Sequence, residues 1–315
     1  MATFLLQRSL RLLSVLFGVS LLTFSVLHLI PGDPVRVMLG DSVGGAAAGD
    51  QSQASYERLR RELGLDLPLP TQYLRYVSNA VQGDLGRSYQ TQRTITSSIA
   101  NALPSTIALT LVATVVSLIL GVGCGLLAAL KHHTWWDTAI MVFSMIGLAM
   151  PSFWLGLVLL MVFAFRLRWF PVANAEGFNG LVLPALTLGL GAAGVIARLT
   201  RASLLEVMQN EYIQTARAKG LRERAVVVRH ALVNALIPVV TVVGLQLGNL
   251  LAGAFIVETI FARRGIGRLL VDGVLRRDYP VVQGVALVAA VMYVTINFFI
   301  DLSYGWLDPR IRHAR

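Results

Sequence analysis

The chain has 315 residues, 55% of them hydrophobic and only 14% charged, with a mean hydropathy of +0.66. Those values exclude an ordinary soluble globular protein and point to a polytopic membrane protein. The net charge of +10, from 27 basic and 17 acidic residues, suits anionic lipid headgroups. Its scatter between apolar runs, with no basic face interleaved with aromatics, excludes a nucleic-acid partner.

A bilayer core of about 30 Å needs about 20 apolar residues at 1.5 Å each. Six uncharged stretches of that length occur: Leu12 to Ile30, Ile99 to Leu130, Thr138 to Phe165, Gly177 to Ala197, Ala231 to Val257 and Tyr279 to Ile300. Backbone polar groups must be paired in lipid, and runs without alternation favour helices over barrel strands. The first run is longer than a signal-peptide core, and Pro31-Gly32-Asp33-Pro34 follows it where a small-residue cleavage site would stand, so it reads as a retained helix. The predicted fold class is an all-α polytopic membrane protein with six transmembrane helices. The lone Cys124, between Gly123 and Gly125, rules out an intrachain disulfide and reads as a small packing residue.

The expected organisation is a cytoplasmic end and first helix over 1–30, an extracytoplasmic loop over 31–98, a transmembrane domain over 99–305 and a cytoplasmic tail over 306–315. The long loop opens with Gly44-Gly45-Ala46-Ala47-Ala48-Gly49. Two helical pieces follow, Gln53 to Leu63 and Gln72 to Val81, separated by the turn-rich Leu65 to Pro70. With the N-terminus inside, 13 basic residues fall on the cytoplasmic side and 14 outside. Seven of the outer ones lie in the long loop, and loops beyond about 60 residues translocate largely regardless of charge. Discounting them leaves 13 against 7, although Arg263, Arg264, Arg268, Arg276 and Arg277 crowd the last outer loop.

Several chemistries are absent. Lys131 precedes His132 and Lys219 precedes Gly220, whereas a phosphate-cradling loop places Ser or Thr after its lysine. The five histidines lack the H-E-x-x-H spacing of a zinc protease. No acidic residue falls inside the six uncharged cores, so the intramembrane carboxylate on which ion-coupled carriers rely is missing. This leaves a non-catalytic conduit whose energy comes from another chain, with no cofactor or metal of its own.

The cytoplasmic loop 198–230 is the most informative segment. Tyr212 to Lys219 predicts two helical turns, and Gly220 stands where a left-handed residue ends them. The text EYIQTARAKGL followed by RHALVNALIPVV resembles the EAA loop of ABC importer permeases, in the form found in the dipeptide, oligopeptide and nickel permease family. HLIPGDPV, LRRELGLDLPLPTQYLRYV, GDLGRSY, LPSTIALT, MPSFWLG, VETIF, GIGRLLVDGV, RDYPVVQG and LDPRIR extend the resemblance, in order, over almost the whole chain.

The resemblance implies a type I ABC importer permease fold in the bacterial inner membrane, with both termini cytoplasmic. It implies four kinds of partner: a second permease, two ATPase subunits carrying ATP and Mg, an extracytoplasmic binding protein, and membrane lipid. It assigns ATPase coupling to Tyr212, Ala216, Arg217, Ala218, Lys219, Gly220 and Leu221, with Ala216 and Gly220 as the small positions of the motif. Cargoes compatible with it are di- and oligopeptides, glutathione and nickel chelates. Gln214-Thr215 stands where the motif has an acidic residue and alanine, and Arg263-Arg264 where relatives carry Trp-Pro.

Within the fifth span, Val242, Gln246, Asn249 and Gly253 share one helical face. Gln246 and Asn249 either line the substrate pathway or hydrogen-bond neighbouring helices. Asp33, Glu258, Asp272 and Asp278 stand at outer edges, where solvated charge is the expectation. Arg263, Arg264 and Asp278 are the candidates for contact with the binding protein. Asn297, Asp301, Tyr304, Asp308 and Arg310 recur in the family's closing segment.

Overall fold

The computed structural model describes residues 2–29, 35, 50–62, 64–172 and 177–307. Asp33, Asp308, Arg310, the segment 44–49 and the tail 308–315 lie outside the described residues. The helices, in chain order, are α1 Ala2–Leu29, α2 Asp50–Glu62, α3 Leu69–Val81, α4 Ile95–Leu130, α5 Trp135–Ala149, α6 Ser152–Arg166 and α7 Asn179–Val207. They continue with α8 Glu211–Ala218, α9 Glu223–Ile260, α10 Ile266–Leu275 and α11 Tyr279–Leu307.

Among the described residues, four helices are long and apolar enough to cross a membrane: α4, α7, α9 and α11. The stretch expected as the third span, Thr138 to Phe165, falls in two helices bent by 107° that pass the length and hydropathy criteria together. Pro151 explains the break. It disfavours helical backbone at the preceding residue, and Met150 is extended, with φ −74° and ψ 127°. Each half has 15 residues, about 22 Å, so neither crosses a 30 Å core alone. In α1 the apolar segment among the described residues is Leu12–Ser25, short of a full span.

The chain divides into two compact units. One comprises Met1–Pro104 and Gly265–Thr295, the other Ser105–Arg264 and Ile296–Arg315. In the first, α3 lies along α1: Tyr73 and Ser20 hydroxyls meet at 2.9 Å, and the Phe24 and Tyr73 rings stack edge-on at 5.4 Å. A hairpin-like turn before α4 is closed by Ser88 N donating to Arg93 O at 3.0 Å and Ile95 N to Gly86 O at 3.0 Å.

In the second unit α7 is the central helix. Of its apolar window 61% is buried, against 33% for α4 and 28% for α9, and a helix apolar on all sides belongs in the interior. Glycine lets its neighbours approach. A Cβ at Gly125 would stand 2.5 Å from the Ala197 carbonyl, and one at Gly194 would stand 2.5 Å from that of Ser144. The core beneath includes Leu109, Leu183, Leu188, Leu250 and Val257.

Candidate functional site

The turn between α7 and α8 is set by backbone hydrogen bonds, Met208 N to Leu204 O at 2.9 Å and Asn210 N to Val207 O at 3.1 Å. Asn210 is extended, and its carbonyl accepts from Ile213 N at 3.0 Å. Glu211 in the first turn and Arg217 in the last complement the helix dipole. At the other end Gly220 has φ +77°. Gly220 N donates to Arg217 O at 2.9 Å and Leu221 N to Ala216 O at 3.4 Å, the paired closing bonds that a left-handed residue permits. The two expected turns therefore form where the sequence suggests, and glycine ends them for the conformational reason anticipated.

α8 has one inward and one outward face. Ile213 and Ala216 are buried in a cluster with Ala129 of α4, Leu204 of α7, and Val226, Ala231 and Ala235 of α9. Tyr212, Arg217, Ala218, Lys219, Gly220 and Leu221 are exposed. The smallness of Ala216 serves packing against the chain's own helices. Tyr212 is held at its tip, its hydroxyl accepting from Asn234 Nδ2 at 3.1 Å. Arg217 donates twice to Glu223, at 2.7 and 3.1 Å, and this hydrogen-bonded carboxylate raises its guanidinium pKa.

A second charged cluster was not anticipated. Arg201 on α7 grips Asp137 at the start of α5 through Nε at 2.6 Å and a terminal nitrogen at 2.7 Å. His132 Nδ1 lies 3.0 Å from both Asp137 Oδ2 and Arg201; it accepts from the arginine in one tautomer or donates to the carboxylate in the other. Asp137 is only 5% exposed. The one sequence signal was an acid set between two histidines and a long apolar run, and nothing local identified its partner 64 residues away.

At the α5–α6 break a half-open pocket of about 200 Å³ is lined by Gly147, Met150, Ser152 and Leu155, by residues of α7, and by Gln246, Asn249, Leu250 and Gly253 of α9. The two amides singled out in the fifth span thus stand in one pocket. They bond to each other, Asn249 Nδ2 to Gln246 Oε1 at 3.3 Å.

Two of the four acids expected to be solvated, Glu258 and Asp278, are buried, whereas the Asp272 side chain is 46% exposed beside Arg268. Glu258 is fully buried and accepts from Thr106 Oγ1 at 2.6 Å. In the other unit Asp278, 3% exposed, accepts from Ser88 Oγ at 2.5 Å and Tyr89 N at 3.0 Å. Burial, reinforced by the Asp278 charge, pushes the Tyr89 phenol up to about 12. Asp278 therefore spends its carboxylate on the turn that precedes α4. Arg263 is half-buried and donates to Gly180 O at 2.8 Å and Ser105 Oγ at 3.1 Å, whereas Arg264 is exposed. Burying a carboxylate is costly unless it is hydrogen-bonded, so these contacts anchor the turns that bear them.

Comparison with known proteins agrees with this architecture. Residues 121–313 match the family described as the inner membrane component of binding-protein-dependent transport systems, and residues 1–110 match its N-terminal counterpart. The chain belongs to this family. It is 43% identical to the di/tripeptide transport system permease DppB of Pseudomonas aeruginosa, over 100% of both chains. It is 42% identical to the glutathione transport system permease GsiC of Escherichia coli K12, over 99% of this chain and 100% of that one. Among solved structures, a chain of the MetNI methionine ABC transporter superposes with TM-score 0.56 at 19% identity, covering 67% of this chain and 96% of that one. A chain of an amino acid ABC transporter gives 0.52 at 15%, covering 66% and 92%. The fold is that of a type I ABC importer permease, and the chain is an integral-membrane permease subunit of an ABC importer.

Proposed function

We propose that this permease imports short peptides across the bacterial inner membrane, paired with a second homologous permease over two ATPase subunits and fed by an extracytoplasmic binding protein. Both termini face the cytoplasm in this reading, and α8 docks in a cleft on an ATPase through Tyr212, Arg217, Ala218, Lys219 and Leu221. ATP binding draws the two ATPases together and tips the helices as rigid bodies from inward-open to outward-open, and hydrolysis resets them. ATP and Mg act on the ATPase subunits, and this chain contributes no catalytic residue.

The observation that carries the reading is the two-faced α8, whose apolar face is seated on α4, α7 and α9 while its outward face is exposed. A push on that face reaches three long helices through packed side chains. The peptide cargo is supported by full-length similarity to a permease named for di- and tripeptides. Similarity to a glutathione permease favours a second reading, a glutathione-type peptide moved by the same machinery.

Reconstitution tests this directly. Import should require the ATPases and the binding protein, and uptake by this chain alone on an ion gradient would contradict the proposal. Gly220→Val should cost about 1–2 kcal/mol locally, because a side chain disfavours left-handed backbone, while the complex still inserts and hydrolyses ATP without coupled import. Normal import by that variant would show that α8 is not the coupling element.

A further inference from the structure

We propose that the pocket at the α5–α6 break is a transit site for the peptide group itself, in which the side-chain amides of Gln246 and Asn249 take up one backbone C=O and one backbone N–H of the cargo. This rests on the peptide-importer reading above and adds what the pocket recognises.

Position gives the first argument. The apolar run of α9 extends from Ala231 to Val257, and residues 246 and 249 stand near its middle. Asn249 is exposed and Gln246 half-buried on this chain. Two amides at that depth are costly against hydrocarbon, so the open side of the pocket faces water, cargo or another protein.

The donor and acceptor inventory gives the second. The single bond between the two amides consumes one N–H and one oxygen, leaving one NH₂-bearing nitrogen and one carbonyl oxygen to face a ligand, whichever amide donates. The Thr187 hydroxyl in the same lining already donates to Leu183 O at 2.8 Å, and the Ser152 hydroxyl is the other polar side chain of the lining. A peptide group presents the complementary pair, one acceptor and one donor.

Charge and size give the third. None of the twelve lining residues is ionisable, so the pocket offers no opposite charge to a terminal ammonium, a carboxylate or a charged side chain. At about 200 Å³ it falls below the range of about 300–1,000 Å³ that encloses drug-sized ligands, so it seats a segment of a cargo. Glycine keeps it open: a Cβ on Gly253 would meet Leu188 Cδ2 at 3.0 Å. The result is a site that reads the feature all peptides share and is indifferent to the side chains that distinguish them.

The test uses the whole importer in proteoliposomes, with binding protein loaded either with dialanine or with its depsipeptide analogue, which has an ester in place of the amide and so lacks the N–H. Wild type should import dialanine several-fold more efficiently per ATP hydrolysed than the analogue. Gln246→Leu with Asn249→Leu should lower dialanine import per ATP about tenfold, the worth of roughly two hydrogen bonds, and erase the preference. The swap Gln246→Asn with Asn249→Gln should retain it. Unchanged import per ATP in the leucine variant would place the pocket off the path and overturn the inference. Failure of that variant to assemble with the second permease would assign the amides to subunit packing, and overturn it equally.

A second measurement does not depend on that variant. Asn249→Cys, in a Cys124→Ser background, should react with a water-soluble maleimide during turnover and be protected by dialanine. An unreactive or unprotected thiol would also contradict the proposal. Were wild type to import nothing with every subunit present, the fault would lie in the peptide-importer reading.

Discussion

Two arginine–carboxylate pairs have nearly the same geometry and opposite settings. Arg201 and Asp137 meet at 2.6 and 2.7 Å with side chains 25% and 8% exposed; Arg217 and Glu223 meet at 2.7 and 3.1 Å with side chains 41% and 57% exposed. Chemistry is shared, so burial decides the role. The first pair ties the start of α5 to α7, and losing one partner strands a charge away from water. The second stays within reach of any protein that docks on α8.

This contrast is best broken at its strong end. Arg201→Ala should destabilise the complex by about 3 kcal/mol or more, since a buried carboxylate left without its partner is expensive. Thermal unfolding in detergent measures the loss. Replacing both residues, Asp137→Leu with Arg201→Met, should recover most of it, because a well-packed apolar pair can substitute for a buried ion pair. A single variant as stable as wild type would mean that the buried pair is no more important than an exposed one.

The weak end predicts the reverse pattern. Arg217→Ala and Glu223→Ala should each change stability by less than about 1 kcal/mol, as exposed pairs do. Any effect of Arg217→Ala should appear in the affinity for the ATPase subunits, and should shrink at high salt. A stability loss matching that of Arg201→Ala would erase the distinction.

The same contrast explains what was legible beforehand. α8 is written locally: eight residues of helix, a glycine forced into left-handed backbone, and an acid and a base at the dipole-matched ends are all contiguous in the sequence. The partnership of Asp137 with Arg201 depends on how α5 packs on α7, which no local pattern encodes. Pro151 was visible, but treating an uncharged run as one span ignored the restriction proline places on Met150. Glu258 and Asp278 looked solvated because both flank apolar runs, yet the hydroxyls of Thr106 and Ser88, 152 and 190 residues away, allow them to be buried. Ala216 was legible only as a small position of a motif, and its burial against α4, α7 and α9 gives that smallness an internal cause. Gln246 and Asn249 shared a face by helical spacing, and the structure added the pocket around them.

The central claim is that α8 is the cytoplasmic contact through which ATPase movement enters the permease. Ala218 lies on its exposed face, so Ala218→Cys in a Cys124→Ser background offers a single reporter thiol. With a short bifunctional thiol reagent, that residue should cross-link to an ATPase subunit in the assembled importer, and the yield should change when ATP is trapped. Labelling of the same thiol from outside intact cells by a membrane-impermeant reagent, with no ATPase adduct, would contradict the account.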